Sequence, residues 1–171
     1  TNENNTLTQA NNEEPVSAQT DSEILTDGQY TYFDLREQIG SGGNINLTKG
    51  TYTYNDGDGD TIQISTSGVI NGNGAVIDMA QSGHRAFNVT TSGVTIKNLT
   101  IKNANYNGDG GALYFSSSGT VTNCNFINNS ATSGGAVWIS TGSIENSNFT
   151  NNNASKDGGA VHFKNNAAVT N

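Results

Sequence analysis

The segment Gly-Gly-Ala-Leu-Tyr-Phe at residues 110–115 returns as Gly-Gly-Ala-Val-Trp-Ile at 134–139 and as Gly-Gly-Ala-Val-His-Phe at 158–163. Each copy begins 24 residues after the previous one. A fixed period of this size is typical of repeat proteins, in which each repeat buries its apolar residues only by stacking on its neighbours. The chain is therefore predicted to be a solenoid whose functional surface is built by stacked repeats.

A second repeated motif indicates which kind of solenoid this is. The pattern apolar-x-Asn-x-x-apolar occurs at residues 96–101, 121–126 and 144–149, so each repeat carries two short β-type segments. These segments are rich in Gly, Asn, Thr and Ser, which disfavour helices. We therefore predict an all-β fold, a right-handed parallel β-helix with about 24 residues per coil and a strand spacing of about 4.8 Å between coils.

Alternation along the strands predicts which side chains enter the core. The inward set is Leu113, Phe115, Val137, Ile139, Val161 and Phe163. The outward set comprises the alanines Ala112, Ala136 and Ala160 together with Tyr114, Trp138 and His162. Stacked one coil apart, the last three form an aromatic strip on which sugars or a partner strand could lie, and ordinary cross-strand packing is the alternative.

Asparagine recurs at two corner positions of each repeat. Asn tolerates the left-handed backbone conformation, and its amide can bond the same group one coil away. We predict two structural asparagine ladders, formed by Asn98, Asn123 and Asn146 and by Asn103, Asn128 and Asn151.

The chain divides into three predicted regions. Residues 1–28 form an acidic, low-complexity N-terminal tail, residues 29–43 a capping helix and residues 44–171 the β-helix. Thr31 is the predicted N-cap and Gly40 the predicted stop of a helix that covers the open end of the first coil. Because the last repeat stops in mid-coil, we expect these 171 residues to be the N-terminal part of a longer repeat protein.

The tail allows two interpretations. Residues 1–27 contain six acidic residues and no Lys or Arg, a composition typical of a solvated, flexible leader. Alternatively, the tail docks on a neighbouring copy of the chain. The protein would then be a homo-oligomer, or a structural subunit of a surface filament assembled through residues 1–27.

Residues 55–60, Asn-Asp-Gly-Asp-Gly-Asp, are the concentrated acidic motif outside the tail. The motif imitates the start of a calcium loop, but Thr61 and Ser67 stand where an EF-hand has Gly and Glu. A solvated turn is one interpretation. A structural calcium site is the other, with Asp56, Asp58 and Asp60 as ligands, and no further cofactor is expected.

Composition limits the partners. The chain has 7 Lys and Arg against 15 Asp and Glu, a formal net charge of −8, and no basic patch, so nucleic acid is not expected to bind. Cys124 is the single cysteine, which excludes an internal disulfide and suggests an inert buried thiol.

Asn-x-Ser/Thr sequons are candidate N-glycosylation sites, although an Asn-rich chain contains several by chance. In the predicted coils they begin at Asn46, Asn88, Asn98, Asn128, Asn148 and Asn153.

Both motifs resemble known repeats. Gly-Gly-Ala-aliphatic segments that alternate with Phe-x-x-Asn, at residues 126–129 and 149–152, are similar to repeats of chlamydial polymorphic outer-membrane proteins and of adhesin-like surface proteins of methanogenic archaea. Residues 61–103, with Gly-x-Gly-Ala-x-Ile-Asp at 72–78, resemble the opening coils of pectin-lyase-like β-helices. The resemblance implies a secreted or cell-surface adhesin, without catalytic activity, that attaches to glycans or proteins of another cell. The Asn-rich, Cys-poor composition favours the archaeal group.

The pectin-lyase-like resemblance leaves a polysaccharide-active enzyme as the alternative. Such enzymes use two carboxylates across one bond, or Asp clusters with a basic residue. Asp109 and Asp157 occupy equivalent positions two coils apart, about 9.6 Å by the coil rise, with Ser133 between them. We predict no catalytic residue, and we expect His84 and Arg85 to be surface or corner residues.

Overall fold

The protein's structure is a computed structural model that describes residues 28–170, so the predicted tail lies outside the described residues except for Gly28. The elements of the described chain, in order, are β1 (Gln29–Thr31), α1 (Tyr32–Ile39), β2 (Ile45–Asn46), β3 (Thr51–Thr53), β4 (Ile62–Ile64), β5 (Gly68–Asp78), β6 (Phe87–Val89), β7 (Val94–Lys102), β8 (Leu113–Thr122), β9 (Asn125–Ile127), β10 (Ser130–Ala131), β11 (Val137–Glu145), β12 (Asn148–Thr150), β13 (Asn153–Ala154), β14 (Val161–Phe163) and β15 (Ala167–Thr170).

The strands wind into a β-solenoid of about six turns with about 25 residues per turn. Every strand pair between successive coils is parallel, and the main pairs form three stacks. Sheet one contains β1, β3, the C-terminal parts of β5 and β7, β9 and β12. Sheet two contains β2, the N-terminal parts of β5 and β7, the C-terminal parts of β8 and β11, and β15. Sheet three contains β4, β6, the N-terminal parts of β8 and β11, and β14. The predicted parallel β-helix is thus confirmed.

Alternation within sheet three places the predicted apolar residues in the core. The fully buried members are Leu113, Phe115, Val137 and Ile139. Their equivalents in the last coil, Val161 and Phe163, are half-buried. The same inward positions therefore build the core in each coil, and the neighbouring coils decide how completely they are covered.

The alanines of the Gly-Gly-Ala segments do not follow the prediction. Ala112 and Ala136 are fully buried rather than outward-facing. Strand β8 begins at Leu113 and strand β11 at Val137, one residue after each alanine. The alternation of a β-strand therefore does not extend back to the alanines, which belong to the corner.

Left-handed asparagines form the corners that lead into and out of sheet one. The φ angles of the six asparagines lie between 46° and 57°, for Asn98, Asn103, Asn123, Asn128, Asn146 and Asn151. Within the described residues, no side-chain hydrogen bond joins two members of one column. Asn98 instead donates to Oδ1 of Asn71, and Asn103 donates to Oδ1 of Asp78, each at 2.9 Å. The two columns are therefore rows of turn residues rather than ladders of bonded amides.

A buried amide ladder lies one residue further on. Asn129 is 1% exposed, and its Nδ2 donates to Oδ1 of Asn152 at 3.0 Å and to the carbonyl of Ile101 at 3.1 Å. Its Oδ1 accepts the N–H of Ala104 at 3.0 Å. The polar core position is thus fully hydrogen-bonded, as buried amides normally are.

Glycine at the second position of the Gly-Gly pair permits close stacking of coils. A Cβ at Gly135 would overlap with the carbonyl oxygens of Gly159 and Asn153. A Cβ at Gly159 would meet no atom within 4 Å. The requirement for glycine at this position therefore comes from the following coil.

Helix α1 closes the first coil, as predicted. Thr31 Oγ1 accepts the N–H of Asp34 at 3.1 Å, while the Asp34 carboxylate accepts the N–H of Thr31 at 2.7 Å, which forms a capping box. The helix ends at Ile39, and Gly40, its C-cap, has a φ of 54°. Parallel pairing begins before α1, because β1 pairs with β3. Between residues 28 and 170 the chain has no helix of the length and apolarity that a membrane crossing requires.

Tyr32 fastens α1 to the coils beneath it. Its side chain is fully buried, and its hydroxyl donates to the carbonyl of Ala86 at 2.7 Å and accepts the N–H of Ile62 at 2.9 Å. Burial raises the pKa of Tyr32 well above its ordinary value, so the hydroxyl keeps its proton. The cap is thus joined to two coils through one side chain.

Candidate functional site

The predicted aromatic strip exists on the outer side of sheet three. The rings of Tyr114 and Trp138 are stacked with their centroids 4.6 Å apart, and those of Trp138 and His162 are stacked at 6.0 Å. Strand register places the three residues directly opposite one another in successive coils. Trp138 is 8% exposed because its neighbours cover both of its faces.

Arg85 extends this stack by one further group. Its guanidinium carbon lies 4.8 Å from the ring centroid of Tyr114 and 3.9 Å from that of Tyr106. Arg85 is 8% exposed, and its Nη2 donates to the carbonyl of Asp109 at 2.6 Å. The row therefore runs from a cation through three aromatic or imidazole rings, with Tyr106 on its flank.

Sequence reasoning missed the role of Arg85, which is buried in the corner. Burial lowers the pKa of Arg85, yet a guanidinium remains protonated near neutral pH. No carboxylate of residues 28–170 forms an ion pair with it. The strand register could have indicated this role. Phe87 pairs with Leu113, so Arg85 occupies the corner position that Gly111 takes one coil later.

A pocket of about 350 Å³ opens beside Arg85. It is lined by Asp60, Thr61, Gln63, Gly83, His84, Arg85, Asn88 and Tyr106. Asn88 donates its amide to Oε1 of Gln63 at 2.6 Å and lies opposite Tyr114 in the strand register. The pocket, which we call the amide pocket, is therefore continuous with the aromatic strip.

The acidic motif anchors the cap instead of gathering its carboxylates. Asp58 accepts the N–H of Tyr32 at 3.2 Å and that of Asn55 at 2.8 Å. Arg36 donates to the carbonyls of Asp58 and Asp60. Among residues 28–170 no group of three His, Cys, Asp or Glu side chains is placed to hold a metal ion, so Asp56, Asp58 and Asp60 do not form the predicted calcium cluster.

The acidic residues considered for catalysis are separated along one corner. Asp109 bridges to Ser133 in the next coil, and Gly134 donates to the carbonyl of Asp157. This places Ser133 between the two aspartates, as predicted. The amide pocket, by contrast, has a single carboxylate among the described residues that line it, that of Asp60.

The candidate sequons differ in their accessibility. Asn128 and Asn153 are exposed, whereas Asn88 and Asn98 are half-buried and use their side-chain nitrogens in hydrogen bonds. Asn46 and Asn148 are exposed and bonded to asparagines one coil away. Among residues 28–170 no hydrogen bond engages the side-chain amides of Asn128 and Asn153, which makes these two the most accessible of the predicted sequons.

Cys124 is buried, as predicted. It is 1% exposed, and its thiol donates to the carbonyl of Thr122 at 3.3 Å. Burial raises the pKa of Cys124 to about 11. The thiol is therefore protonated and unreactive at neutral pH.

Comparison with known families identifies a similar repeat. The family model described as the Chlamydia polymorphic membrane protein (Chlamydia_PMP) repeat matches residues 123–140 and 146–164. Two coils of this chain resemble that repeat. Each matched segment begins at a corner asparagine and includes the Gly-Gly-Ala segment and the strip residue, Trp138 or His162. Searches of curated proteins and of solved structures found no match to the chain.

The match to this repeat indicates where in the cell such proteins are found. Repeats of the polymorphic membrane protein family suggest an outer-membrane or surface protein. The chain is consistent with such a location and with an adhesin-like role. The finer resemblance to archaeal adhesin-like proteins remains a prediction.

Proposed function

We propose that this chain is a non-catalytic, extracellular adhesin-like protein that attaches a cell to glycans or proteins of another surface. The observation that carries the proposal is the stack of Tyr114, Trp138 and His162, whose ring edges lie along the outside of sheet three. Aromatic rings supply apolar contact area at little conformational cost, which suits the recognition of sugars and protein surfaces. The archaeal or chlamydial origin of the resemblance does not alter this proposal.

The proposal of a non-catalytic protein is supported by the arrangement of carboxylates. Hydrolysis of a glycosidic bond generally requires two carboxyl groups that flank the bond. The amide pocket has one, Asp60, and Asp109 and Asp157 have Ser133 between them. A filament subunit assembled through residues 1–27 stays a prediction, since the tail lies outside the described residues.

Attachment can be tested on arrays of surface glycans and extracellular proteins. Fluorescent beads coated with the parent protein should bind a subset of the array, and beads coated with Trp138→Ala should lose about tenfold or more of that binding. Thr120→Ala is the matched control, because Thr120 faces outward on sheet two. Melting curves establish that both variants are folded at the assay temperature. Equal binding by Trp138→Ala and the parent would exclude the strip as the attachment surface.

A further inference from the structure

Two residues that line the amide pocket each have a buried side-chain atom with no hydrogen-bond partner among residues 28–170. The atoms are Nε of Arg85 and Oδ1 of Asn88. The first is a donor and the second an acceptor. Arg85 Nη2 donates to the carbonyl of Asp109, and Asn88 Nδ2 donates to Oε1 of Gln63. A group that satisfies both atoms must donate and accept hydrogen bonds at once, and a hydroxyl has this capacity.

Water has the same capacity. What favours a larger ligand over a water molecule is the position of the pocket at one end of a row of outward side chains. One outward row of sheet three contains Gln63, Asn88, Tyr114, Trp138 and His162 in successive coils. The row is about 19 Å long at the usual strand spacing. Its first two members are amides and its last three are rings. A chain molecule with hydroxyls and apolar ring faces would contact both parts.

The charges around the pocket favour an uncharged ligand. The guanidinium of Arg85 is flanked by the rings of Tyr106 and Tyr114 and bonded to a carbonyl oxygen. Asp60 stands in the same pocket wall and would repel a carboxylate or sulfate. A polar but neutral group therefore fits better than an anion.

We propose that the amide pocket binds one hydroxyl-bearing residue of an uncharged oligosaccharide whose following residues lie along the aromatic strip. The proposal rests on the proposed function and names its ligand class. Asn88 and Arg85 orient a sugar hydroxyl, Gln63 holds Asn88 in place, and the edges of the rings contact the apolar faces of the next sugars.

The test is calorimetric titration of the 171-residue chain with neutral hexaoses of glucose, mannose and xylose, and with a hexamer of galacturonate. At least one neutral hexaose should bind, and Asn88→Ala should weaken that binding about tenfold. Asn148→Ala is the matched control, because Asn148 also bonds an asparagine one coil away, at 3.0 Å to Asn125 on sheet one. It should leave the affinity unchanged.

Gln63→Ala provides a second variant at an exposed position, in case Asn88→Ala does not fold. It should also weaken binding of the neutral hexaose. The proposal is overturned if no neutral hexaose binds, if galacturonate alone binds, or if the pocket variants bind like the parent. If the proposed function itself is wrong, the array experiment shows it separately, because Trp138→Ala then attaches to the array like the parent. Loss of attachment in Trp138→Ala with full attachment in Asn88→Ala would retain the adhesin and exclude the pocket.

Discussion

The inner coils and the last described coil repeat the same motifs but bury them differently. Phe126 is fully buried, whereas Phe149, opposite it in the next coil, is half-buried. Phe126 pairs with Ile101 on one side and with Phe149 on the other, while the described part of the chain covers Phe149 on one side alone. Burial in this fold is therefore a property of a residue's position in the stack rather than of its motif.

The first coil meets the same need in another way. Its exposed side is closed by α1, whose Tyr32, Leu35 and Ile39 are buried against the coils. A cap of unrelated sequence can thus replace a stacked repeat, provided that it brings apolar residues and satisfies the polar groups that it covers. Three pairs of substitutions can test how far stacking determines stability.

The largest effect is expected at the stacked phenylalanines. Phe126→Ala removes a fully buried ring and should lower the free energy of unfolding by about 3–5 kcal/mol. Phe149→Ala removes a half-buried ring and should cost less than half as much. Urea denaturation of the two variants measures the difference. Equal losses would show that the last coil is as well packed as an inner one.

A smaller effect is expected at the paired glycines. Gly135→Ala places a methyl group against the carbonyl oxygens of Gly159 and Asn153, which should cost about 3 kcal/mol. Gly159→Ala has open space around its Cβ and should change stability by less than about 0.5 kcal/mol. Thermal unfolding of both proteins gives the comparison. A tolerated Gly135→Ala would mean that the coils can move apart to admit the methyl group.

The smallest effect is expected at the capped end. Tyr32→Phe leaves the N–H of Ile62 and the carbonyl of Ala86 without their partner and should cost about 1–3 kcal/mol. Tyr30→Phe is the control, because Tyr30 is partly exposed and contacts Tyr52 through its ring. Denaturation midpoints of the two variants provide the measurement. If Tyr32→Phe were neutral, apolar contact alone would hold the cap.

Much of this fold could be predicted from the sequence because each coil of a β-solenoid is encoded by a motif that recurs at a fixed spacing. The repeated Gly-Gly-Ala segments set the coil length, and alternation within β8 and β11 placed Phe115 and Ile139 inside. Prediction failed where alternation ends. Ala112 and Ala136 belong to corners, and the direction of a corner side chain depends on backbone geometry that the strand period does not describe.

The site was predictable only in part, for a related reason. The strip consists of residues at one repeated position, so counting from Tyr114 finds Trp138 and His162. Arg85 and Tyr106 stand outside that repeat and meet Tyr114 only through the path of their loops. Likewise, the sequence of residues 55–60 shows where carboxylates are concentrated, but the direction of Asp58 toward the N-terminus of α1 depends on tertiary contacts.

Burial of the single cysteine gives the solenoid an internal reporter of its own opening. The Cys124 thiol is shielded by the coils, and its raised pKa leaves little thiolate for reaction. Modification of this sulfur by a thiol reagent must therefore wait until the surrounding coils separate. The labelling rate then measures the frequency of local unfolding in the middle of the stack, a quantity that the global melting temperature does not provide.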